Sequence, residues 1–440
     1  VIDVAELRPE LWSNWAGNQR CRVPVAKPST EGELCRLVAR AALDGARVKA
    51  VGTGHSFSDV ALTDGVLVDL SDYDRILEVD REACTVTVQA GARLRDVSEL
   101  LWTRGLAFEN LGDIDVQTVA GATATATHGT GLTFRNLSSA VVAMRIVDGS
   151  GGVVECSAAR EPEVFAAARV GLGALGIVST LTLRVVPAFH LHAVEEPRRI
   201  DEVLESFREL VATHDHYEFF WVPHTGWALT KANRRNHEAP APRPAAEAWR
   251  RDVWWDNVAF DLVNRVGALR PSLLRPLLKR IPGAGHVEYN DRSYRVFASP
   301  RTSRFVEMEY AVPLEATVEA VQGVRSVVEG LGWTVSFPVE VRAVRGDDIP
   351  LSTASGRDSG YVAVHMHRSM PHEEYFGQVE SIMRDLGGRP HWGKLHRRTA
   401  ADLAPAYPGW DRFQEVRARM DPTGTFASAA TDRVLGPVGG

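Results

Sequence analysis

What the 440 residues lack narrows the field first. Only four cysteines occur, Cys21, Cys35, Cys84 and Cys156, all in the first third of the chain. They form no C-x-x-C pair and no short-spaced framework, so a disulfide scaffold is set aside and free thiols in a reducing compartment are expected. No run approaches the ~18 apolar residues of a membrane span. Residues 1–6 lack the basic region and apolar core of a signal peptide, so the expectation is a soluble, cytoplasmic protein with no transmembrane segment. The net charge is −6, with both signs well mixed. No basic block offers a face to nucleic acid or to an anionic membrane. The length suits two or three domains of roughly 150 residues each, enough to bury a sizeable core.

What the chain does have is glycine beside small hydroxyls. Residues 46–51 read as a strand, and residues 51–59 follow as a turn in which Gly52, Thr53, Gly54, Ser56 and Ser58 crowd His55. Glycine tolerates φ > 0 and carries no Cβ, so successive N–H groups there can form a concave anion nest with His55 at the ligand. The spacing is not the G-x-G-x-x-G of a nucleotide-binding βαβ unit, and no G-x-x-x-x-G-K-[ST] occurs, so the familiar dinucleotide and P-loop readings fail at this turn. A tight surface turn with a solvated histidine is the plain alternative. Residues 119–131 form a second such segment, in which every side chain but those of Val119 and His128 is Gly, Ala or Thr. Side chains this short let a large planar or phosphorylated ligand lie against the backbone, with Thr125 and Thr127 as donors. Residues 170–178 are a third. Three permissive segments before residue 188 point to one large cofactor.

Between and beyond them the pattern is mixed helix and strand. Thr30 and Glu33 are spaced as a capping box ahead of Leu34, Leu37, Val38, Ala41 and Ala42, which recur at helical intervals until Gly45. Strands are expected at 65–70, 84–91 and 180–186, with a helix through Leu94, Val97, Leu100 and Leu101. Residues 238–247 read as an exposed loop. The tryptophans and phenylalanine between 249 and 263 read as a buried helix face or an interface. No chemistry is legible from 190 to 300. Two later strands, 335–342 and 360–368, carry Glu340 with Arg342 and His365 with His367 at period two, so each pair shares a face. A solvated sheet face would look the same. Residues 389–396 add His391, Trp392, Lys394 and His396.

Taken together, the turn around His55, the run ending Thr127-His128-Gly129, the Glu340-x-Arg342 strand and His391-Trp392-x-Lys394 resemble the vanillyl-alcohol-oxidase flavoprotein superfamily, in its aldonolactone oxidoreductase branch. The chain is also similar to alditol oxidases, and the resemblance covers nearly its whole length. It implies an α+β fold: a two-part FAD-binding domain of the PCMH type, residues 1–188 and 389–440, interrupted by an α+β cap domain with an antiparallel sheet, residues 189–388. By the same likeness Val51, Gly52, Thr53, Gly54, His55, Ser56, Asp113, Thr118, Gly121, Thr125, Ala126, Thr127, His128, Ile177 and His391 bind FAD, with His55 the point of covalent attachment. Glu340, Arg342, His365 and Lys394 are the implied catalytic group; Asp113 and His367 join Glu340, Arg342 and Lys394 on the substrate, and Gly112 controls oxygen access. Asp113 stands where alditol oxidases have serine, and Ser428 replaces a frequent asparagine. The implied reaction is oxidation of an aldono-1,4-lactone such as L-gulono-1,4-lactone at C2, with hydride passing to flavin N5 and oxygen, giving hydrogen peroxide, or a carrier as acceptor. The alternatives are oxidation of the terminal CH₂OH of an alditol, a metal-dependent hydrolase using His365, His367, His372, Glu373 and Glu374, and a flavin-binding protein without turnover.

Overall fold

The computed structural model describes residues 7–250, 258–270, 272–274 and 285–438. The capping pattern at Thr30 produces the helix Glu31–Leu43, whose buried stripe is Leu34, Leu37, Val38 and Ala41. Thr30 Oγ1 accepts from the Glu33 N–H at 3.2 Å, but the Glu33 carboxylate returns to the N–H of Ser29 rather than to that of Thr30. Gly45, at φ +67°, ends the helix in the left-handed region that favours glycine. The strand that follows, Val48–Val51, is the edge of a four-stranded sheet in the order Pro9–Ser13, Arg20–Ala26, Val66–Asp69, Val48–Val51. A second, antiparallel sheet orders Ile76–Asp80, Thr85–Gln89, Ile177–Arg184, Val141–Val147 and Val153–Ser157.

The third sheet is the largest. Its eight strands run Val287–Arg292, His190–Arg199, Trp227–Asn236, His216–Trp221, Val339–Val344, Ser359–His367, Phe305–Pro313 and Arg389–Pro390, and every neighbouring pair is antiparallel. Strands that bury both faces lose the clean alternation of an edge strand, and Val339–Val344 is buried along its whole length. Helices Thr317–Gly330 and Glu373–Asp385 cover one face through Val321, Val324, Phe376 and Val379. The other face turns toward the first two sheets.

Among the described residues two large apolar cores result, with two small clusters beside them. One joins the first two sheets to the C-terminal helices through Leu403, Trp410, Phe413 and Val434, so the chain end returns to the beginning. There the Val48 N–H donates to the Thr425 carbonyl at 2.8 Å. The Asp421 carboxylate accepts from the N–H groups of Thr425 and Phe426, and Ser428 caps the last helix, Ala429–Leu435. The other large core lies between the large sheet and the helices over it, which include Ile200–Glu205 and Phe207–Thr213 as well. The four cysteines are free thiols, and no helix of the described residues is long and apolar enough to cross a membrane. Residues 238–247 begin as irregular chain and end in the short helix Ala245–Ala248. Of the aromatic stretch after 249, residues 251–257 lie outside the described residues, and Trp249 itself is exposed.

Candidate active site

The three small-residue segments meet. Val48–Val51 delivers residues 52–56 to a cavity of about 150 Å³ that Thr118, Gly121, Thr125, residues 171–173 and residues 175–178 also line. Thr118 caps the short helix Val119–Ala124, its Oγ1 accepting from the Gly121 N–H at 3.2 Å. A Cβ on Gly52 would fall 2.3 Å from that same oxygen, so glycine is needed for the turn to approach the helix start. Residues 171–176 do spell G-x-G-x-x-G, but they follow the helix Pro162–Ala168 and lead into the strand Ile177–Arg184. That is the reverse of the strand–turn–helix order in which the motif binds a dinucleotide.

His55, Ser56, Gln117 and Thr125 also line a second cavity of about 580 Å³, so the two adjoin along these residues. His55 stacks on Trp15 with ring centroids 5.6 Å apart, and its Nδ1 lies 3.1 Å from Thr53 Oγ1. Burial pushes its pKa down to about 4, so the ring is neutral at physiological pH. A backbone-walled slot adjoining a roomier chamber fits FAD, the diphosphate against N–H groups and short side chains and the ring system beyond His55.

Register builds the far wall of the larger cavity. Across adjacent strands Lys231 pairs with Glu218, Glu218 with Arg342, and His365 with Glu307. Their side chains therefore share one face, together with Glu340 and Glu309 two residues along from Arg342 and Glu307. Arg342 donates from Nε to Glu218 at 2.7 Å and through Nη2 to Asp113, and it pairs with Glu340. Lys394 Nζ is held by Glu307, whose other oxygen lies 3.4 Å from His365 Nε2. His128 Nε2 is 3.2 Å from Glu309, and the His128 ring packs on Tyr361 at 3.8 Å. Glu340 and Arg342 are 6% and 7% exposed, which excludes the solvated-face reading of that strand.

Charge crowding divides these carboxylates. Glu340 is raised well above the ordinary range by burial and by Glu218, Glu307 and Glu309 around it. Burial would raise Glu307 too, but the Lys394 ammonium and His365 more than offset it and hold that carboxyl low. Glu309, likewise buried, is brought down to about 2 by His128. His391 is driven to about 3 by burial, and its Nδ1 accepts from the Gly393 N–H at 3.1 Å. The site thus offers a guanidinium fixed by three carboxyl groups, a carboxylate-held ammonium and the neutral imidazoles of His55 and His391, a set suited to orienting hydroxyl and carbonyl oxygens and moving one proton.

Not every expected residue is here. His367 does not line the cavity: its Nδ1 is 2.7 Å from Ser369 Oγ and its Nε2 is 3.1 Å from Asp261. Ala126 is fully buried at φ +60° and shapes the turn rather than the wall. The five proposed hydrolase ligands do not converge either, since His372 lies beside Glu373, away from His365. A Cβ on Gly112 would meet the His128 carbonyl oxygen at 3.1 Å and Thr127 Cγ2 at 3.5 Å, so this glycine first of all lets two backbone segments close together. Residues not picked out from sequence are Trp15, Glu218, Lys231, Arg301, Glu307 and Glu309. For Glu307 and Glu309 a signal existed, two glutamates at period two in the otherwise apolar strand Phe305–Pro313.

Comparison with known proteins agrees with this geometry. Residues 24–157 match the family described as "FAD binding domain", and residues 181–434 match "D-arabinono-1,4-lactone oxidase". An L-gulono-1,4-lactone dehydrogenase of Mycobacterium tuberculosis is 46% identical over 433 residues, covering 97% of this chain and 99% of that protein. The L-gulonolactone oxidase of Mus musculus is 33% identical, covering 96% and 98%. Cholesterol oxidase from Brevibacterium sterolicum superposes with a TM-score of 0.81 at 17% identity, over 98% of this chain and 97% of that one, and shows the shared fold. The chain belongs to the D-arabinono-1,4-lactone oxidase family and, with an FAD-binding domain ahead of that region, is an FAD-dependent oxidoreductase.

Proposed function

We propose that the protein oxidises an aldono-1,4-lactone, such as L-gulono-1,4-lactone, at the C2 hydroxyl, and passes the electrons to oxygen or to a carrier. The carrying observation is the group of buried Glu340 and Arg342 with half-buried His365 and Lys394, which shares one cavity with His55 and the second small-residue segment. The names of the similar dehydrogenase and oxidase support a lactone. In this reading residues 1–188 and 389–440 hold FAD, and residues 189–388 supply most of the substrate wall.

When bound, FAD would supply the two-electron acceptor, taking the substrate's C–H as a hydride that carries both electrons. The chain's own residues position and deprotonate the substrate. Arg342, held by Asp113, Glu218 and Glu340, keeps Nη1 for a lactone oxygen. Lys394, held by Glu307, donates to a neighbouring oxygen. His365 Nδ1 faces the Pro338 carbonyl at 3.1 Å, so with Nδ1 donating there, Nε2 is the nitrogen proposed to take the hydroxyl proton. Glu307, beside Nε2, stabilises the imidazolium that forms. His55, neutral and at the junction of the two cavities, is the group proposed to carry the covalent flavin.

Anaerobic addition of L-gulono-1,4-lactone should bleach the flavin absorption, with xylitol as the competing alditol substrate. Faster bleaching by xylitol removes the lactone assignment, and no bleaching by either removes turnover. Acid precipitation should leave the yellow colour with the protein; colour in the supernatant removes the bond at His55.

A further inference from the structure

Lys49 is a buried ammonium that the reaction does not use. It sits on the strand Val48–Val51, three residues before Gly52, and it lines the smaller cavity. Its side chain reaches across to the third small-residue segment, where Nζ donates to the Leu172 carbonyl at 2.9 Å and to the Gly173 carbonyl at 3.3 Å. Those two residues hold the left-handed conformation, at φ +54° and +61°. A leucine does so only where its surroundings impose it. Leu172 is tied on its other side as well, its N–H donating to the Ala124 carbonyl at 3.2 Å. Lys49 therefore links the first segment to the third, and Leu172 links the third to the second.

The charge is the second observation. Among the described residues Lys49 makes no ion pair; it donates to two neutral carbonyls. The charged groups that reach it from the C-terminal return are Arg417, which opposes its charge, and Asp421 and Asp432, which favour it. Asp421 is already engaged with two backbone N–H groups, and Asp432 lies 3.9 Å from Arg417. A buried cation without a close counter-ion is costly, and here it lines a cavity to which no carboxylate and no other Lys or Arg contributes.

We propose that Lys49 is the positioning residue for the adenylate half of the cofactor: it clamps the Leu172–Gly173 turn against the first glycine loop and receives its counter-charge from the adenylate-side phosphate of the bound diphosphate. This rests on the reading that FAD occupies the smaller cavity.

The test compares FAD with FMN, which shares the ring system and one phosphate but lacks the adenylate. Apoprotein is prepared in a His55→Ala background, so that no covalent bond masks affinity, and is titrated with each flavin. The variant Lys49→Met, a neutral side chain of similar length, should weaken FAD by about tenfold or more, the scale of one charge-assisted hydrogen bond, and leave FMN unchanged. Equal weakening of both flavins, or unchanged FAD binding, overturns the role. Failure of the Lys49-intact protein to bind FAD overturns the underlying reading instead. Where Lys49→Met does not fold, acetylation of Lys49 in the His55→Ala apoprotein, followed by mass spectrometry, decides: slowing by FAD but not by FMN supports the proposal, and equal rates overturn it.

Discussion

Around the smaller cavity the wall is Gly52, Gly54, Gly121, Thr125 and the turn 171–176, where backbone comes to the surface because side chains are short. Around the larger one Glu218, Glu307, Glu340, Arg342, His365 and Lys394 arrive from several strands and a loop, and each is fixed by another charged or polar side chain. The first half is made by removing Cβ atoms and tolerates few additions. The second is made by charge balance and tolerates few subtractions.

If that contrast holds, the largest effect of any single change should come from Arg342→Ala. It leaves Asp113, Glu218 and Glu340 facing one another without their common cation. Steady-state kinetics on lactone should show kcat/KM down on the order of a hundredfold or more, with flavin retained. Glu340→Ala should fall in the same direction. Near-wild-type rates in both would mean that the charged wall is structural only.

The opposite half should break on addition. Gly52→Ala places a Cβ 2.3 Å from Thr118 Oγ1, so Thr118 must leave the helix start it caps. Overpacking of this kind costs about 1–3 kcal/mol, read as a lower melting temperature together with poorer flavin loading. Full loading and an unchanged melt would show that the loop has room to spare.

The seam between the halves should answer to pH. His216 is buried, pushed to about 3 by that burial, with its Nδ1 2.8 Å from the Thr130 carbonyl and the Arg235 Nε donating to its Nε2 at 3.3 Å. Protonating Nε2 would set a cation against Arg235. Because the folded pKa lies below the unfolded value, the unfolded chain binds the extra proton. The stabilisation is complete above about 6.5 and is lost as pH falls toward 3. Relative to His216→Phe, the wild type should therefore lose on the order of 2 kcal/mol between pH 7 and 5, measured as paired melts. Parallel curves would exclude His216 as the titrating group.

The smallest effect is expected from Gly112→Ala. Its Cβ would crowd the His128 carbonyl by only a few tenths of an ångström. Stopped-flow reoxidation of the substrate-reduced enzyme by oxygen should slow several-fold at most. No change would assign the glycine to packing alone.

The same contrast explains what could be read in advance. Small-residue runs are a local property of composition, so the segments at 51–59, 119–131 and 170–178 stood out, and with them the expected helix at Glu31–Leu43 and the strands beside it. Convergence of charge is a property of register. Glu218 pairs with Arg342, 124 residues away, and nothing near Glu218 in the sequence marks it, which is why residues 190–300 carried no legible chemistry. Period two placed His367 beside His365 correctly as a pattern, yet that ring turned to Asp261 and Ser369 at the strand end. Alternation fixes a face; neighbouring side chains fix the rotamer.

The loop around His55 also carries a consequence in time. The Phe57 N–H donates to the Gly393 carbonyl at 2.7 Å, and Ser58 Oγ donates to the Trp392 carbonyl across 334 residues of chain. Synthesis proceeds from the N-terminus, and closing so long a loop carries its entropic cost before any contact rewards it. The histidine turn, translated early, thus waits for residues 392 and 393 before its far side exists. In the proposed reading, a flavin pocket walled by both segments forms only after that stretch is made.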